Sequence, residues 1–460
     1  MNTFRSRSPQ NPSDVVVEVP AATADDVAKA AERARTAQRE WARIPAAGRS
    51  AALTAAAEAF AADADNLTAL MVREVGKPLG EARGEVGRAV AILRYYAQQV
   101  FDPVGEVLPP SMPGTGLLYT ARRPHGVAGL VTPWNFPVAI PLWKAAPALA
   151  FGNAVLLKPA PEATACALRL GELLGASLPT DLFTVLPGDA EPGQAVIGAA
   201  DVVSFTGSVA VGGLVTAAAV GRGIPVQAEL GGQNASIVLP DADLIAAAAA
   251  IAGAAMGYAG QKCTATKRVI AVGDPAPLRD ALVEAVAALT VGDPADEGVV
   301  AGPVIDEAAG DRVVDAAASA IAAGGRVLTG GTRADGSGWF VAPTVVEGVP
   351  ADHLLAREEV FGPISVLQSV GSIDEAVALA NSVRHGLVSA VFTSDLDTAL
   401  SAAQQLDTGM VKINAPTSGV DFYAPFGGEK ASSYGQREQG KAARDFYTSS
   451  RTVTIAPARG

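Results

Sequence analysis

Apolar residues recur every three or four positions through much of the first hundred residues, in segments rich in alanine. This spacing places the apolar side chains on one face of a helix. It therefore predicts helices over Thr23–Trp41, Arg49–Glu74 and Arg83–Val100. The pattern changes at Leu117–Pro124, which has turn residues on either side and is typical of an extended ribbon.

From residue 126 onward, short apolar runs alternate with helical patterns. Alternation at this spacing is typical of βαβ units, in which a parallel sheet is covered by helices on both faces. We predict strands at Val127–Thr132, Ala154–Lys158, Phe183–Leu186 and Val202–Thr206, with helices at Ile140–Ala150, Ala163–Gly175 and Val209–Val220.

A second alternating series begins near Ile237 and predicts a second α/β domain. Its strands are expected near Ser236–Leu239, Arg268–Val272, Arg326–Thr329, Ser365–Ser369 and Ala390–Thr393. The chain then ends in Arg451–Ile455, an alternating strand with no later segment left to pair with. A terminal strand of this kind often completes another element or the sheet of another subunit.

Composition sets broad limits on the protein. A length of 460 residues predicts about three domains or two large ones. With 49% hydrophobic and 18% charged residues, the chain can bury a large core. The net charge of −12 argues against nucleic acid and against anionic membrane surfaces as partners.

No segment predicts a membrane span or a secretory signal. The most apolar stretch, Leu244–Ala255, is shorter than the roughly 20 residues that a span needs and contains Gly253. Met1–Asp14 is polar and lacks the apolar core of a signal peptide. Two cysteines with no disulfide framework fit a reducing compartment, so we expect a cytoplasmic protein. We expect no metal site, because the three histidines lack ligand spacing: His125, His353 and His385.

Cys263 is the first candidate for chemistry. It follows the turn Gly260-Gln261, and Lys262 and Lys267 flank it. Thiolate is the reactive form of cysteine, and nearby positive charge lowers the pKa of the thiol. The alternative is a small buried hydrophobic residue, as many free cysteines are. The local sequence does not decide between the two interpretations.

Two further residues carry groups that catalysis could use. Asn135 follows a predicted strand directly, at the end of the strand where α/β folds place ligand groups. Its amide could donate to an oxyanion, or it could be a turn residue between two prolines. Glu229 precedes a Gly-Gly pair between two apolar strands. Burial would raise its pKa toward that of a general base, although a structural glutamate is the alternative.

Three other segments have features of a nucleotide site. Lys158 ends a strand and could bind ribose hydroxyls or a phosphate. Gly207-Ser208 lies between a strand and a helix, where exposed N–H groups favour phosphate. Glu358–Pro363 combines carboxylates, an aromatic ring and a tight turn. Taken singly, each has a plain alternative: a solvated lysine, an ordinary βα turn and a surface turn.

Together and in this order, the motifs resemble those of the aldehyde dehydrogenase superfamily over essentially the whole chain. Glu229 and Cys263 are also separated by the interval typical of the base and nucleophile of that family. The matching strings are Pro133-Trp-Asn-Phe-Pro137, Lys158-Pro159, Phe205-Thr-Gly-Ser208, Glu229-Leu-Gly-Gly232, Gly260-Gln-Lys-Cys263, Glu359-Val-Phe-Gly-Pro363 and Pro425-Phe-Gly-Gly428.

The resemblance implies a mechanism for these residues. Cys263 would attack the aldehyde as thiolate, and Asn135 with the Cys263 backbone N–H would hold the oxyanion. Loss of hydride to a nicotinamide would leave a thioester, which Glu229 would hydrolyse by activating water. Lys144 and Glu438 match positions that the family is thought to use in proton handling.

The resemblance also implies which residues bind the cofactor. Lys158 would bind the adenosine ribose, and Gly207 and Ser208 the pyrophosphate. Trp134 would lie near the pyrophosphate, Thr132 would line the same site, and Glu359 and Phe361 would contact the nicotinamide end.

One departure from the family bears on cofactor choice. Members that prefer NAD usually carry a glutamate three residues after the lysine, where it accepts a hydrogen bond from the 2′-hydroxyl. This chain has Pro161 there and Glu162 one place later. The missing carboxylate removes repulsion against a 2′-phosphate, so we expect NADP as cofactor, with NAD also possible.

Within the superfamily, the chain most resembles α-ketoglutaric semialdehyde (2,5-dioxovalerate) dehydrogenases, on Ala91–Tyr96, Cys263–Thr266 and Glu438–Phe446. Arg88 falls on the helix that lines the substrate mouth, where it could hold a carboxylate or be a surface arginine. Gly257 stands where many members have a bulky or basic side chain, so it should widen the tunnel for a larger or less acidic aldehyde. The aromatic wall would be Phe136, Trp143 and Phe426.

The expected fold is α/β and aldehyde dehydrogenase-like. The resemblance implies a Rossmann-type NAD(P)-binding domain of residues 1–103 and 125–231 and an α/β catalytic domain of residues 232–430. Residues 104–124 and 431–460 would be bridging segments, forming a small β extension for oligomerisation. The expected partners are a small-molecule aldehyde and further copies of the chain, in a homodimer or homotetramer.

The two alternatives to this reaction are a CoA-acylating dehydrogenase and a catalytically silent homologue. A CoA-acylating dehydrogenase would pass the acyl group to CoA, but that branch typically lacks the water-activating carboxylate that Glu229 supplies. A catalytically silent homologue is disfavoured because Cys263, Asn135 and Glu229 are all present. Among true aldehyde dehydrogenases, an enzyme for a larger aromatic or aliphatic aldehyde is the alternative to one for 2,5-dioxovalerate.

Overall fold

Two sheets built mainly of parallel strands form the framework of the computed structural model, which describes residues 3–457. The strands are β1 (Thr3–Ser8), β2 (Asn11–Pro20), β3 (Val107–Leu108), β4 (Leu117–Pro124), β5 (Val127–Val131), β6 (Ala154–Lys158), β7 (Phe183–Val185), β8 (Val202–Thr206), β9 (Val226–Glu229), β10 (Asn234–Val238), β11 (Thr266–Val272), β12 (Arg326–Thr329), β13 (Thr344–Glu347), β14 (Ile364–Val370), β15 (His385–Gly386), β16 (Val388–Phe392), β17 (Met410–Ile413), β18 (Glu429–Lys430), β19 (Ser433–Tyr434) and β20 (Thr448–Ile455). The predicted α/β class is confirmed.

Helices cover the faces of both sheets. They are α1 (Ala24–Trp41), α2 (Ala46–Ala62), α3 (Ala64–Val75), α4 (Leu79–Gln99), α5 (Ala139–Ala150), α6 (Thr164–Gly175), α7 (Ala190–Ala199), α8 (Val209–Gly221), α9 (Leu244–Met256), α10 (Ala276–Ala287), α11 (Glu307–Ala322), α12 (Leu354–Arg357), α13 (Ile373–Asn381), α14 (Leu396–Gln405) and α15 (Gly440–Phe446). Among the helices described, none is both long and apolar enough to cross a membrane.

The first sheet has the strand order β19-β9-β8-β5-β6-β7. Strands β5 to β9 are parallel, and β19 pairs antiparallel with β9. The chain runs from β5 through β6 to β7 at one edge and then returns to place β8 on the other side of β5. In such sheets a crevice opens at the carboxyl ends of the strands where the winding reverses. The segments after β5 and β8 therefore border a ligand crevice.

The second sheet has the order β12-β13-β14-β11-β10-β16-β17, parallel except for β12. Its central strands are buried on both faces and rich in Val and Ile, as a helix-covered parallel sheet requires. The loop that carries Cys263 leads into β11, and the segment that carries Glu359 and Phe361 leads into β14. The amino ends of these two strands thus face the crevice of the first sheet.

The terminal strand pairs within its own chain. β20 runs antiparallel to β4, from Thr448 opposite Pro124 to Ile455 opposite Leu117, and β3 lies on the other side of β4. The predicted ribbon at Leu117–Pro124 is confirmed with the same bounds. The sequence left two possibilities for the terminal strand: it could complete another element or the sheet of another subunit. The structure shows the first, since β20 completes the sheet of β3 and β4.

Two features near the N-terminus differ from the sequence prediction. The helix predicted over Arg49–Glu74 is two helices, because Asp63 has φ −98° and ψ 12° and ends α2. Its carboxylate accepts from Arg169 at 2.7 Å and from Asn66 at 2.9 Å, which fixes the break. The hairpin of β1 and β2 was also not predicted. β1 is mostly polar, and the four valines of β2 are only half-buried. A buried hydrogen bond from Ser6 to Glu74 helps to attach the hairpin.

Candidate active site

A cavity of about 350 Å³ lies between the two sheets, at the crevice that the topology predicts. It brings together segments far apart in the chain, from the ends of β5, β8 and β9 and from the loops before β11 and β14. Its lining includes Pro133, Trp134, Asn135, Thr206, Gly207, Ser208, Leu230, Gly231, Cys263, Ile305, Asp306, Arg312, Glu359 and Phe361. Most of the residues predicted for chemistry and cofactor binding therefore share one cavity.

A second cavity, of about 260 Å³, reaches Cys263 from the other side. It is lined by Glu81, Gly84, Glu85, Arg88, Phe136, Trp143, Lys262, Cys263, Thr264, Ser418, Gly419, Val420 and Phe426. All four predicted substrate residues, Arg88, Phe136, Trp143 and Phe426, are in this lining. The thiol is the point at which the two cavities meet.

The loop that carries Cys263 is held in an unusual backbone conformation. Tyr258, Ala259 and Gly260 have φ values of 54°, 51° and 64°, so three successive residues are left-handed. A left-handed residue other than glycine costs roughly 1–2 kcal/mol. Buried hydrogen bonds hold the turn: Tyr258 donates its hydroxyl to Val75 O, and the fully buried Gln261 accepts from Ile305 N at 2.8 Å.

Asn234 fixes the backbone carbonyl of Cys263 itself. Its amide donates to Cys263 O at 2.7 Å and to Ala265 O at 2.8 Å. Its side-chain oxygen accepts from Val388 N. Asn234 and Gln261 are positioning residues that the sequence analysis did not single out; the only local signal was a polar residue within buried surroundings.

The environment of the Cys263 thiol is the reverse of what its flanking lysines suggested. Burial raises the pKa of Cys263 to about 12, and the carboxylates of Glu359 and Glu229 act in the same direction. Neither lysine offsets this effect, because Lys262 donates to Glu81 and Lys267 donates to two backbone carbonyls. The expectation of a lowered thiol pKa is therefore wrong for the protein without ligands.

Asn135 lies beside the thiol and is only 4% exposed. It follows β5 and the turn Thr132–Trp134, and its amide donates to Gln261 O at 2.9 Å. An NH₂ group has two donors, so one remains for a ligand in the shared cavity. The bond to Gln261 also links the asparagine directly to the loop of the nucleophile.

Glu229 ends β9 and is 2% exposed. One carboxylate oxygen accepts from Ser433 Oγ at 2.5 Å, while Oε1 has no hydrogen-bond partner within residues 3–457. Burial raises the pKa of Glu229 well above its usual range, and the charge of Glu438 acts in the same direction. Glu229 does not line either cavity that contains Cys263, although it is close enough to influence the thiol.

A buried ion pair lies behind Glu229. Lys144 on α5 bonds to Glu438, and it also donates to Ser204 Oγ at 2.8 Å. Both members of the pair are at most 2% exposed. The second oxygen of Glu438 has no partner among the described residues, so this network has a free acceptor next to Glu229.

The cavity between the sheets has features suited to a dinucleotide. Buried oxygens of Thr206 and Glu359 lack partners within the described chain, as groups reserved for a ligand would. Thr132 is also buried, with a hydroxyl that has no partner within residues 3–457, but it lines none of the three cavities at this site. A side chain at Gly231 would clash with the Glu359 carboxylate, so the glycine leaves room for that carboxylate in the cavity wall. Trp134 and Phe361 pack edge to face, with their ring centres 5.7 Å apart, and form an aromatic wall.

A third cavity, of about 500 Å³, lies at the ends of β5 and β6. Lys158 lines it together with Asp189 and the apolar face of α8. Burial lowers the pKa of Lys158, while the carboxylates of Asp189 and Glu162 oppose that effect. Ser208 caps α8 by accepting from Val211 N, so the free N–H groups of the first turn of α8 are available to phosphate.

The cavity that Arg88 lines has the aromatic wall that the sequence predicted. The ring centres of Trp143 and Phe426 are 5.8 Å apart. Phe136 completes the wall, and Lys77 Nζ lies 3.8 Å from the centre of its ring. Arg88 is partly exposed and makes no side-chain hydrogen bond or ion pair within residues 3–457. It is therefore a free cation facing the cavity, rather than part of a surface ion pair.

Gly257 does not widen this cavity. A Cβ at Gly257 would lie 3.2 Å from Glu81 Oε1 and 3.3 Å from Lys262 Nζ, which form an ion pair of 2.6 Å. The space that the glycine leaves is filled by charged groups, so the expected enlargement of the tunnel is wrong. Glu81 and Lys262 were not predicted as site residues, because their contact depends on a fold that joins α4 to the loop after α9.

The chain is similar in sequence to known proteins over nearly its whole length. A sequence model of the Aldehyde dehydrogenase family matches residues 1–453. The alpha-ketoglutaric semialdehyde dehydrogenase of Bacillus subtilis (strain 168) is 39% identical over 459 residues, covering 98% of this chain and 94% of the relative.

Solved structures show the same architecture. The crystal structure of an NAD-dependent aldehyde dehydrogenase from Sinorhizobium meliloti matches with a TM-score of 0.96 and 34% identity, over 100% of this chain and 92% of that one. An NADP-dependent enzyme from E. coli matches with a TM-score of 0.95 and 32% identity, over 99% of this chain and 95% of that one.

Proposed function

This chain belongs to the aldehyde dehydrogenase family, and from that premise we propose that it oxidises 2,5-dioxovalerate, the semialdehyde of α-ketoglutarate, to 2-oxoglutarate. As a member of the family it converts an aldehyde to a carboxylic acid with NAD or NADP. The observation that carries the proposal is the position of Cys263, where a cavity with free polar groups for a dinucleotide meets a cavity with a free cation.

Cys263 is the proposed nucleophile. The thiol first gives its proton to a water molecule. Its sulfur then forms a bond to the aldehyde carbon, and the carbonyl oxygen becomes an oxyanion. Asn135 donates the second N–H of its amide to this oxygen, and the backbone N–H of Cys263 supplies another donor. Donors held in place by the surrounding structure are worth several kcal/mol in such a step.

The adduct of Cys263 with the aldehyde is a hemithioacetal. NAD or NADP, when bound, would accept the hydride that this adduct loses, and a thioester would remain. Lys158, Gly207, Ser208, Trp134, Thr132, Glu359 and Phe361 are the proposed binding residues. Glu359 suits ribose hydroxyls because its Oε1 is free of partners within residues 3–457. Burial raises the pKa of Glu359 to about 7, against the opposing charge of Lys267.

Glu229 is the proposed base for the second step. It removes a proton from water, whose oxygen attacks the thioester carbonyl, and the carbon–sulfur bond breaks to release the acid. The raised pKa of Glu229 makes it a stronger base than an ordinary carboxylate, and its free Oε1 can accept the proton. Lys144 and Glu438 would then pass the proton away from the site.

The identity of the aldehyde rests on charge. The proposed substrate carries a carboxylate at the end opposite the aldehyde, and Arg88 offers a planar guanidinium with no competing carboxylate partner among the described residues. The aromatic wall of Phe136, Trp143 and Phe426 would pack against the short carbon chain. The B. subtilis relative is named for the same aldehyde.

An aldehyde panel assayed with NAD and with NADP tests this function. We expect 2,5-dioxovalerate to have a higher kcat/KM than pentanal or benzaldehyde, and Arg88→Ala to lower kcat/KM for the acidic aldehyde about tenfold or more. Equal loss on acidic and neutral aldehydes would remove Arg88 as the carboxylate anchor. Preference for a neutral aromatic or aliphatic aldehyde would replace the proposed substrate.

We also propose that residues 1–103 and 125–231 act as the cofactor domain and residues 232–430 as the catalytic domain. The segments 104–124 and 431–460 would join copies of the chain into a homodimer or homotetramer. Exposed apolar side chains support this role, since Val107 is 75% and Ile455 48% exposed, and β20 has a free outer edge in the three-stranded sheet.

A further inference from the structure

An ion pair forms part of the wall of the substrate cavity, next to the nucleophile. Lys262 Nζ donates to Glu81 Oε1 at 2.6 Å, and both residues line the same cavity as Cys263. The side chain of Lys262 is 11% exposed and that of Glu81 is 30% exposed. Gly257 leaves the space that this pair fills.

The pair leaves Lys262 with unused donors. An ammonium group has three N–H donors, and only the bond to Glu81 is present within residues 3–457. Glu81 therefore holds the lysine head in one place without saturating it. A ligand carboxylate entering the cavity could accept from Lys262 while the bond to Glu81 persists.

The charges of the cavity favour an anion. Arg88 and Lys262 are cationic and Glu81 is anionic, while Glu85 is paired with the buried Lys77. Within the lining itself two cations balance two carboxylates, because Glu85 also lines the cavity. The buried Lys77 that pairs with Glu85 adds one positive charge behind the wall, so the partly enclosed space is positive by one charge overall. A neutral aldehyde would gain nothing from this charge, whereas an aldehyde with a remote carboxylate would gain charge-assisted hydrogen bonds.

The distances along the chain suit a short acidic aldehyde. Consecutive Cα atoms are about 3.8 Å apart, so Lys262 and Cys263 are necessarily close. Four carbon–carbon bonds of about 1.5 Å separate the aldehyde carbon of 2,5-dioxovalerate from its carboxylate carbon. A substrate of that length can react at the thiol and reach a cation in the same small cavity.

We infer that Lys262, held by Glu81 over Gly257, binds the 2-oxo acid end of the substrate together with Arg88 and is a specificity-determining residue. This inference rests on the proposed function, because it concerns the substrate of the same site. Gly257 then leaves the room that the ion pair needs. In this way the glycine contributes to selection for an acidic aldehyde.

The test compares Lys262→Met with Lys29→Met, a control that removes the same charge. Lys29 forms an exposed ion pair with Asp25, also of 2.6 Å. For Lys262→Met we expect kcat/KM for 2,5-dioxovalerate to fall about tenfold or more, mainly through KM, and kcat/KM for pentanal to change only a few-fold. The control should behave as wild type on both aldehydes.

Gly257→Ala tests the same arrangement while keeping every charge. Its Cβ would lie 3.2–3.3 Å from both partners of the ion pair, so the pair must shift. We expect a selective loss on the acidic aldehyde, smaller than that of Lys262→Met. Calorimetric titration of 2-oxoglutarate into each variant measures carboxylate binding without turnover, and affinity should fall in the same order.

The outcomes separate this inference from the proposed function. If wild type prefers 2,5-dioxovalerate and Lys262→Met keeps that preference, the inference is wrong and the substrate assignment stands. Equal loss on both aldehydes would also overturn it, because Lys262 would then only support the loop. If wild type shows no preference for acidic aldehydes, the proposed substrate fails and Lys262 selects nothing.

Discussion

At the scale of single residues, burial dominates the chemistry of this site. Two lysines flank Cys263 in the sequence, but both are engaged elsewhere, and enclosure of the thiol between two sheets raises its pKa to about 12. The same enclosure raises the pKa of Glu229. Burial therefore shifts both Cys263 and Glu229 toward their neutral forms.

The pH dependence of alkylation tests the state of Cys263. Because thiolate is the reacting form, the rate with iodoacetamide should rise about tenfold per pH unit from pH 7 to pH 9 in the absence of cofactor. The site of alkylation is read by mass spectrometry. Cys263→Ser is the control and should remain unmodified, since Cys166 is fully buried. A rate that levels off near pH 8 would mean an ordinary or lowered pKa.

Glu229→Gln separates the two halves of the reaction. Glutamine keeps the shape of the side chain but cannot take a proton from water, so thioester formation should proceed and hydrolysis should slow by about 10²–10⁴-fold. Rapid-mixing kinetics should show a burst of NAD(P)H followed by slow turnover. An unchanged steady-state rate would refute the role of Glu229 as the base.

At the scale of elements, the site depends on short connections rather than on the helices and strands themselves. The left-handed turn Tyr258–Gly260 directs the chain from α9 toward Cys263, and Asn234 at the start of β10 holds the carbonyl of the nucleophile. Strand ends supply Asn135 and Glu229. A rigid sheet thus fixes the origin of each connection, and buried hydrogen bonds fix its path.

Gly260→Ala should destabilise the turn that precedes Cys263. The residue has φ 64°, and a Cβ would lie 2.7 Å from Ala255 O and would also clash with Gly362 O. We expect the free energy of unfolding to fall by about 2 kcal/mol or more and the activity to fall with it. Urea denaturation followed by tryptophan fluorescence measures the change.

Gly213→Ala is the matched control for this substitution. Gly213 is an exposed residue in α8, and a Cβ there would meet nothing within 4 Å. Alanine in a helix interior stabilises by roughly 0.5–1 kcal/mol relative to glycine. If Gly260→Ala is as stable as this control, the left-handed turn is not the constraint that we describe.

At the scale of the whole molecule, the chain ends by returning to its middle. β20 pairs along its full length with β4, more than 300 residues earlier, and β3 extends the sheet. The β19 segment likewise returns to the edge of the first sheet beside Glu229. The C-terminal residues therefore support both the base and the proposed oligomerisation ribbon.

Val107→Asp should weaken the proposed assembly. Val107 lies on β3 and is 75% exposed, and a buried charge at a subunit contact is costly. We expect a lower molar mass by light scattering coupled to size-exclusion chromatography. Ile245→Asp, at a 69% exposed position on α9, is the control and should keep the mass of wild type. An unchanged mass for Val107→Asp would place the contact elsewhere.

The sequence by itself determined the α/β class and most of the parallel strands, and it supplied the residues that we propose for the reaction. These follow from local signals, because apolar periodicity sets the elements, and Asn135, Lys158 and Ser208 lie close to the ends of strands. Cys263 and Glu229 were recognised from motifs that keep their order along the chain. Local signals did not report the break at Asp63, because a distant residue, Arg169, fixes it. The hairpin of β1 and β2 was not predicted although β2 contains four valines, because β1 is mostly polar.

Only the tertiary structure decided what surrounds these residues. The pKa of the Cys263 thiol depends on desolvation. Desolvation is set by tertiary packing, and it cannot be predicted from the lysines that flank the cysteine in the sequence. The Glu81–Lys262 pair joins residues 181 positions apart and fills a space that the sequence left as an absent side chain at Gly257. Electrostatics and cavity shape depend on distances in space, and the folded chain sets those distances independently of separation in sequence.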